Sequence, residues 1–265
     1  MALPPPAPES TCLITGASSG IGADVARSLA GRGHGVTLVA RREERLEALA
    51  GELRDRDRVQ VQTVGCDLSD ADARRRLGSE IEQRGLTVEV LVNNAGFGSG
   101  GRFDRLDAAR EVEMVRVNVE AVVDLCGRYV PGMVERGRGA VLNVASTAAF
   151  QPIPRQAAYA ASKAFVLSFT DALHEELSRT GVAATTLCPG PVKTEFWDSA
   201  GIEAEGMPGF VMSDSADVAE AGVKGLEKGR RVVVPGPLNR AGALGGQHAP
   251  RSVLLKVAGK VYPVG

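Results

Sequence analysis

Seven short runs of apolar and β-branched residues, separated by longer stretches with helical periodicity, set the tightest limit on how this chain can fold. The runs fall at residues 11–15, 35–40, 59–64, 88–93, 140–145, 182–188 and 231–234. They are apolar on both faces, as strands of a parallel sheet covered on both sides must be. Helical patterns lie between them at about 20–32, 42–54, 69–84, 108–136, 158–180 and 214–228. Asp67-Leu68-Ser69-Asp70 offers an N-cap to the third of these, and Gly181 closes the fifth. Such alternation requires right-handed crossovers. The expected architecture is an α/β fold, a doubly wound parallel sheet with helices on both faces.

The chain has 265 residues, enough for one or two domains, but the rhythm runs on without a linker or internal repeat. A single domain over residues 11–235 is expected. Residues 1–10 are Pro-rich and read as a disordered lead-in, lacking the basic and apolar regions of a signal peptide. Residues 236–265 read as an extension packed on the domain. The stretch 189–213 is rich in Gly and Pro and has no clear period, so residues 193–213 read as a substrate lid. Net charge is -1, which gives no field to recruit nucleic acid. No apolar run approaches the roughly 18–20 residues of a spanning helix, so no integral membrane segment is expected. Cys12, Cys66, Cys126 and Cys188 form no CxxC pair and sit among apolar neighbours. They read as reduced thiols, which points to the cytoplasm. His34, His174 and His248 lack ligand spacing, so no metal site is expected.

Gly16, Ser18, Ser19, Gly20, Ile21 and Gly22 lie where the first strand turns into the first helix. Glycines there let backbone N–H groups approach a pyrophosphate, and the helix N-terminus favours its charge. A tight turn without a ligand is the alternative. An NAD(H) site would place an acid at the end of the second strand; here Ala40 is followed by Arg41 and Arg42. Guanidinium binds a 2′-phosphate bidentately where carboxylate would repel it, so NADP(H) is favoured over NAD(H). The competing reading has both arginines merely opening an exposed helix. Asp67, followed by Leu68, stands where it could bond the adenine amino group. In Asn93-Asn94-Ala95-Gly96, small residues let the backbone pass beside a cofactor, while Asn93 could brace the sheet instead.

Tyr159 and Lys163 are spaced i, i+4, adjacent on one helix face. A free phenol has a pKa of about 10. A nearby ammonium is expected to lower it and make an acid/base. Ser146 follows the fifth strand, where its hydroxyl could bond a substrate oxygen. Gly16, Asn94, Ser146 and Pro189 all stand at carboxyl ends of strands, which form the ligand crevice of such a sheet.

Residues 15–22, 93–96, Ser146, Tyr159–Lys163 and Pro189-Gly190-Pro191-Val192-Lys193-Thr194 resemble, in order and spacing, the signature of the short-chain dehydrogenases/reductases. The resemblance covers roughly residues 10–235, with a weaker likeness to the DltE-like and ketoacyl-reducing subgroup. It implies a seven-stranded Rossmann sheet and a catalytic tetrad of Asn118, Ser146, Tyr159 and Lys163. Tyr159 would protonate the carbonyl oxygen and Ser146 position it. Lys163 would bind the nicotinamide ribose and lower the Tyr159 pKa, and Asn118 would hold a water of the proton relay. Pro189, Gly190, Val192 and Thr194 would border the nicotinamide end. The resemblance also implies a homodimer or homotetramer formed through the fourth and fifth helices.

Residues 97–103, 148–156 and 193–213 should surround the substrate. Phe97, Phe150, Phe196, Trp197, Met207, Phe210 and Met212 make these segments apolar, which suits an aliphatic, acyl or ring-containing ketone or alcohol. Residues 251–260 are weakly amphipathic and could cap the pocket, join an interface or touch a membrane surface. Two other readings remain: a redox-sensing regulator that binds nucleotide without turnover, and an enzyme that epimerises or dehydrates through transient oxidation.

Overall fold

A computed structural model describes residues 3–200 and 212–261. Its strands are β1 (Ser10–Thr15), β2 (Val36–Ala40), β3 (Val61–Gly65), β4 (Thr87–Asn93), β5 (Gly139–Val144), β6 (Val182–Leu187) and β7 (Val232–Val233). They form one seven-stranded sheet in the order β3-β2-β1-β4-β5-β6-β7, and every pairing is parallel. The helices are α1 (Gly20–Ala30), α2 (Glu43–Asp57), α3 (Ala71–Gln83), α4 (Ala108–Val115), α5 (Ala121–Glu135), α6 (Ala157–Glu176), α7 (Phe196–Ala200), α8 (Ser215–Glu227), α9 (Pro237–His248) and α10 (Arg251–Val261).

Successive strand residues point to opposite faces, and the sheet has a core on each. Ile14, Leu38, Val92 and Leu142 face α1, α2 and α8. Leu13, Val39, Leu91 and Val141 face α3, α5 and α6. All eight are sealed from solvent. Burying each such side chain stabilises by about 1.5–3 kcal/mol, so the short apolar runs are the main cohesive term. Two of the asparagines they contain are linked into one chain of bonds. The Asn93 amide donates to Asn143 Oδ1 at 2.9 Å, and the Asn143 amide donates to Thr170 Oγ1 at 2.9 Å, tying β4, β5 and α6 together.

The structure departs from the sequence expectations in four places. The helix read at 108–136 is broken by a π-helical turn at Arg116–Glu120, which carries Asn118. No Gly or Pro marks the break; it is held by bonds from Asn118 to the distant Phe97. The Gly-rich passage after residue 236 is helical. Gly236 has φ +83° and Pro237 opens α9, a favoured start. Gly246 brings α9 so close to Phe150 that a Cβ would lie 3.0 Å from its carbonyl oxygen. That contact outweighs the weak helix propensity of glycine. Residues 3–10 of the expected lead-in pack on the domain, where the sequence reading expected disorder. Leu3 packs on the core, Pro4 is buried, and Ser10 already belongs to β1. Finally, α7 interrupts the expected lid, of which residues 201–211, with Met207 and Phe210, lie outside the described residues.

Candidate active site

The carboxyl ends of the central strands open on a cleft of about 510 Å³. Gly16, Ser18, Ser19, Gly20, Ile21, Arg41, Arg42, Asp67, Leu68, Asn94, Ala95, Gly96, Ser146, Tyr159, Lys163, Pro189, Gly190, Val192 and Thr194 line it. Two other expected residues stand behind the surface. Gly22 is buried under the loop, where a Cβ would run into the Asn94 amide and the Gly16 carbonyl. Asn118 is buried beside Gly96.

The loop at the end of β1 is braced from β4. Thr15 Oγ1 accepts the N–H groups of Asn94 and Ala95 at 3.0 Å each, and the Asn94 amide donates to the Thr15 carbonyl at 3.0 Å. Gly16 has φ +66°, and a Cβ there would come within 2.8 Å of Ala95. The two strand ends thus approach as closely as backbone allows.

Arg42 follows β2 and turns into the cleft. It donates to Ser18 Oγ at 3.0 Å, to Ser19 Oγ at 2.8 Å and to Glu195 Oε2 at 2.7 Å. Arg45 donates to the other Glu195 oxygen at 2.6 Å. The two guanidiniums hold the Glu195 carboxyl down at about 2, so it is an anion at any ordinary pH. Arg41 is more exposed and reaches only Glu113, at 3.5 Å. Sequence reading missed Glu195, Arg45 and Thr15. Arg42 and Arg45 are 153 and 150 residues from Glu195, and no local pattern connects them. Asp67 accepts the Ser69 N–H and hydroxyl at 2.9 and 2.8 Å. Partial burial opposes its ionisation, but these bonds outweigh it and its pKa lies below the usual value.

At the other end of the cleft, the first turn of α6 carries Tyr159, which lines the cleft together with Ser146. Ser146 Oγ also accepts the Ala148 N–H at 3.1 Å, which fixes its rotamer. The Tyr159 ring leans on Phe196 with centroids 5.4 Å apart, and Trp197 meets Phe196 edge-on. Lys163 Nζ donates to the Val144 carbonyl at 3.0 Å and lies 5.9 Å from the Tyr159 ring centroid. Asn118 accepts the Phe97 N–H at 3.2 Å and donates to the Phe97 carbonyl at 3.0 Å and Ser162 Oγ at 3.1 Å.

The ionisation of the pair differs from the sequence expectation. Burial pushes the Tyr159 phenol up to about 12, with the Ser146 hydrogen bond pulling the other way. Burial pulls Lys163 down to about 8. A low-dielectric site penalises both charged forms, and burial is the largest cause of each shift. At neutral pH the phenol therefore holds its proton, and the amine stays mostly charged.

A family model described as short chain dehydrogenase matches residues 10–204. The chain belongs to that family. An oxidoreductase of Staphylococcus saprophyticus, named as uncharacterised, is 30% identical to this short-chain dehydrogenase over 226 residues, 85% of this chain and 94% of the relative. A short-chain dehydrogenase from Sphingobium yanoikuyae, solved in complex with NADPH, is 33% identical with a TM-score of 0.82, covering 93% of this chain and 95% of that one. A bulky-bulky ketone specific alcohol dehydrogenase from Comamonas testosteroni is 27% identical with a TM-score of 0.76, covering 95% and 97%.

The site of this short-chain dehydrogenase fits a dinucleotide. The glycine approach at Gly16 and Gly22 leaves a cradle that any Cβ would fill. Arg42 and Arg45 already converge on one anionic group, the chemistry a phosphate needs. The same cleft runs on to Ser146, Tyr159 and Lys163.

Proposed function

We propose that this short-chain dehydrogenase uses NADPH to reduce the carbonyl of a mainly apolar ketone, with Tyr159 as the acid. The observation that carries the reading is that Ser146, Tyr159 and Lys163 line the same cleft as the Arg42 cradle. Arg42 and Ser18–Ser19 would hold the adenosine phosphate, Gly16 to Gly22 and Thr194 the diphosphate, and Lys163 the nicotinamide ribose. Arg41, Asp67 and Leu68 would flank the adenosine, and Asn94 to Gly96 with Pro189, Gly190 and Val192 the rest of the cofactor. The complex of the Sphingobium relative with NADPH supports this choice of nucleotide.

NADPH held in this cleft would supply a hydride to the carbonyl carbon. Ser146 and Tyr159 both donate to the carbonyl oxygen, fixing its orientation and stabilising the negative charge that develops on it. Tyr159 then releases its proton to that oxygen. Lys163, charged at neutral pH, stabilises the phenolate left behind. The Asn118 side chain is committed to Phe97 and Ser162, so we assign it a positioning role that keeps Gly96 and Phe97 beside Lys163. Only its main chain is left for the water relay that the family resemblance implies.

Phe97, Ile153, Phe196 and Trp197 line the cleft near Tyr159 and favour apolar substituents on the ketone, in keeping with the bulky ketones named for the Comamonas relative. We further propose a cytoplasmic homodimer or homotetramer formed through α4, α5 and α6. Val112, Val115, Val123 and Phe165 are exposed there and give such an interface apolar area.

The test follows nucleotide absorbance with a panel of apolar ketones, NADPH and NADH in parallel. Tyr159→Phe should lower kcat by about 10²–10⁴-fold while NADPH still binds. A variant with unchanged effects on a partner protein and no turnover in the wild type would identify a sensor instead. Product formed without net nucleotide consumption would identify an epimerase or dehydratase.

A further inference from the structure

Behind the segment that links Ser146 to Tyr159 lies a second hollow, of about 1010 Å³, roomier than the cleft that holds the acid. Residues 149–154 line it from one side, α6 and α9 from two others, and Leu254 and Leu255 of α10 complete it. Its lining is chiefly apolar. Its one acid, Asp171, is paired with Arg231 at 2.5 Å. On α6 the lining runs from Ala157 to Asp171, about 21 Å at 1.5 Å per residue. The side chains that α6 presents near Tyr159, Ala157, Ala160, Ala161 and Ala164, are small and leave the space open.

The two hollows share a wall. Gln151 and Ile153 line both. Ile153 packs in one small buried cluster with Tyr159 and Ala160, and those two neighbours in sequence line the first and the second hollow respectively. The partition between reacting centre and second hollow is therefore a single layer of side chains. Leu244 and Leu255 on the outer walls are 59% and 48% exposed, apolar area that an apolar occupant would cover.

Resting on the ketone-reducing reading above, we infer that this hollow receives the distal apolar part of the substrate, the tail of a long-chain or polycyclic ketone whose carbonyl sits at Ser146 and Tyr159. Ile153 and Gln151 form the passage, and Ile153 sets how wide a tail can cross. Its position one layer of side chains from the reacting centre, across Gln151 and Ile153, selects substrate over a second copy of the chain as occupant. The chamber makes the enzyme prefer ketones with a long apolar arm over small ones that differ only in that arm.

The experiment is a homologous series of 2-ketones, from 2-butanone to 2-tetradecanone, assayed with NADPH, together with displacement of the apolar probe 1-N-phenylnaphthylamine followed by fluorescence. In the wild type, kcat/KM should climb about fourfold for each methylene that enters the chamber. The climb should come mainly through KM, and long ketones should displace the probe where 2-butanone does not. Leu244→Glu puts a charge on an exposed wall position. It should flatten the climb and abolish probe binding, leaving 2-butanone turnover and oligomeric state as they were. Ile153→Ala should extend the series to branched tails. A flat wild-type series would overturn the inference, as would a Leu244→Glu profile that matches the wild type. A Leu244→Glu variant that changes oligomeric state and not the profile would assign the hollow to contact between copies, and also overturn it. Absence of turnover with every ketone would count against the ketone-reducing reading. Probe displacement by long ketones, and its loss in Leu244→Glu, would then still decide the chamber.

Discussion

Tyr159 and Lys163 lie one turn apart on α6, and burial shifts them in opposite senses, the phenol up to about 12 and the amine down to about 8. The phenol is thus loaded for reduction, and the amine is the group that titrates first. Reductive kcat/KM should hold steady up to about pH 8 and decline above it as Lys163 loses its proton. Alcohol oxidation needs the phenolate and should rise with pH over the same range. A reductive rate that climbs through pH 9 would contradict the assignment. At the other end of the cleft, Glu195 occupies the two guanidiniums that a phosphate would use. Arg42→Ala should weaken NADPH binding by about 1–2 kcal/mol, roughly 5- to 30-fold, with little effect on NADH. Glu195→Gln should tighten NADPH binding, since it removes the competing anion; titration calorimetry reads both. The Tyr–Lys spacing and Arg42 at the end of β2 were legible because their chemistry is local in sequence. Glu195 was not legible, because only folding brings it to Arg42.

At the scale of elements, the α1–α8 contact is a polar clamp outside a shared apolar core. Arg32 donates to Glu220 at 2.9 Å and to Glu227 at 2.7 Å, Ser28 donates to Glu220 at 2.8 Å, and Ser215 donates to Asp24 at 2.6 Å. Arg32 is the main reason the Glu220 carboxyl falls to about 2, below its ordinary 4.5. A carboxyl whose pKa is lower in the folded state stabilises above its ordinary value, and that contribution fades as pH falls toward 2. Both side chains are partly exposed, so screening limits the effect to about 0.5–1 kcal/mol. Glu220→Gln should lower Tm by about 1–4 °C at pH 7, and the gap from wild type should narrow below pH 4.5 in thermal melts. Helix periodicity revealed α1 and α8 but not the clamp. It also missed the π-turn at Arg116–Glu120 and the Gly-rich α9, because both are held by contacts with Phe97 and Phe150 and not by local propensity.

At the scale of the whole molecule, one sheet edge gathers groups from every central strand, so nucleotide binding should brace the fold as a unit. NADPH at about a hundredfold excess over its Kd should stabilise by about 2.7 kcal/mol, raising Tm by roughly 5–10 °C. NADH at the same concentration should raise it less, because Arg42 then gains no phosphate. Equal shifts in a thermal melt would refute the role given to Arg42. Among the described residues, no helix is long and apolar enough to cross a membrane.

The succession of strands and helices, the glycine turn after β1 and the Tyr159–Lys163 spacing were determined by the chain itself. Each depends on interactions between near neighbours: two-sided apolar runs, a turn that only glycine fits, two side chains one helical turn apart. Tertiary structure alone decided what crosses between elements. It set Glu195 on Arg42 and Arg45, raised the Tyr159 pKa by enclosing it, and set α9 against the Ser146 segment to leave a second hollow beside the reacting centre. The physical reason is that burial, and charge pairing across long sequence separations, depend on which surfaces meet, which no short stretch of residues encodes.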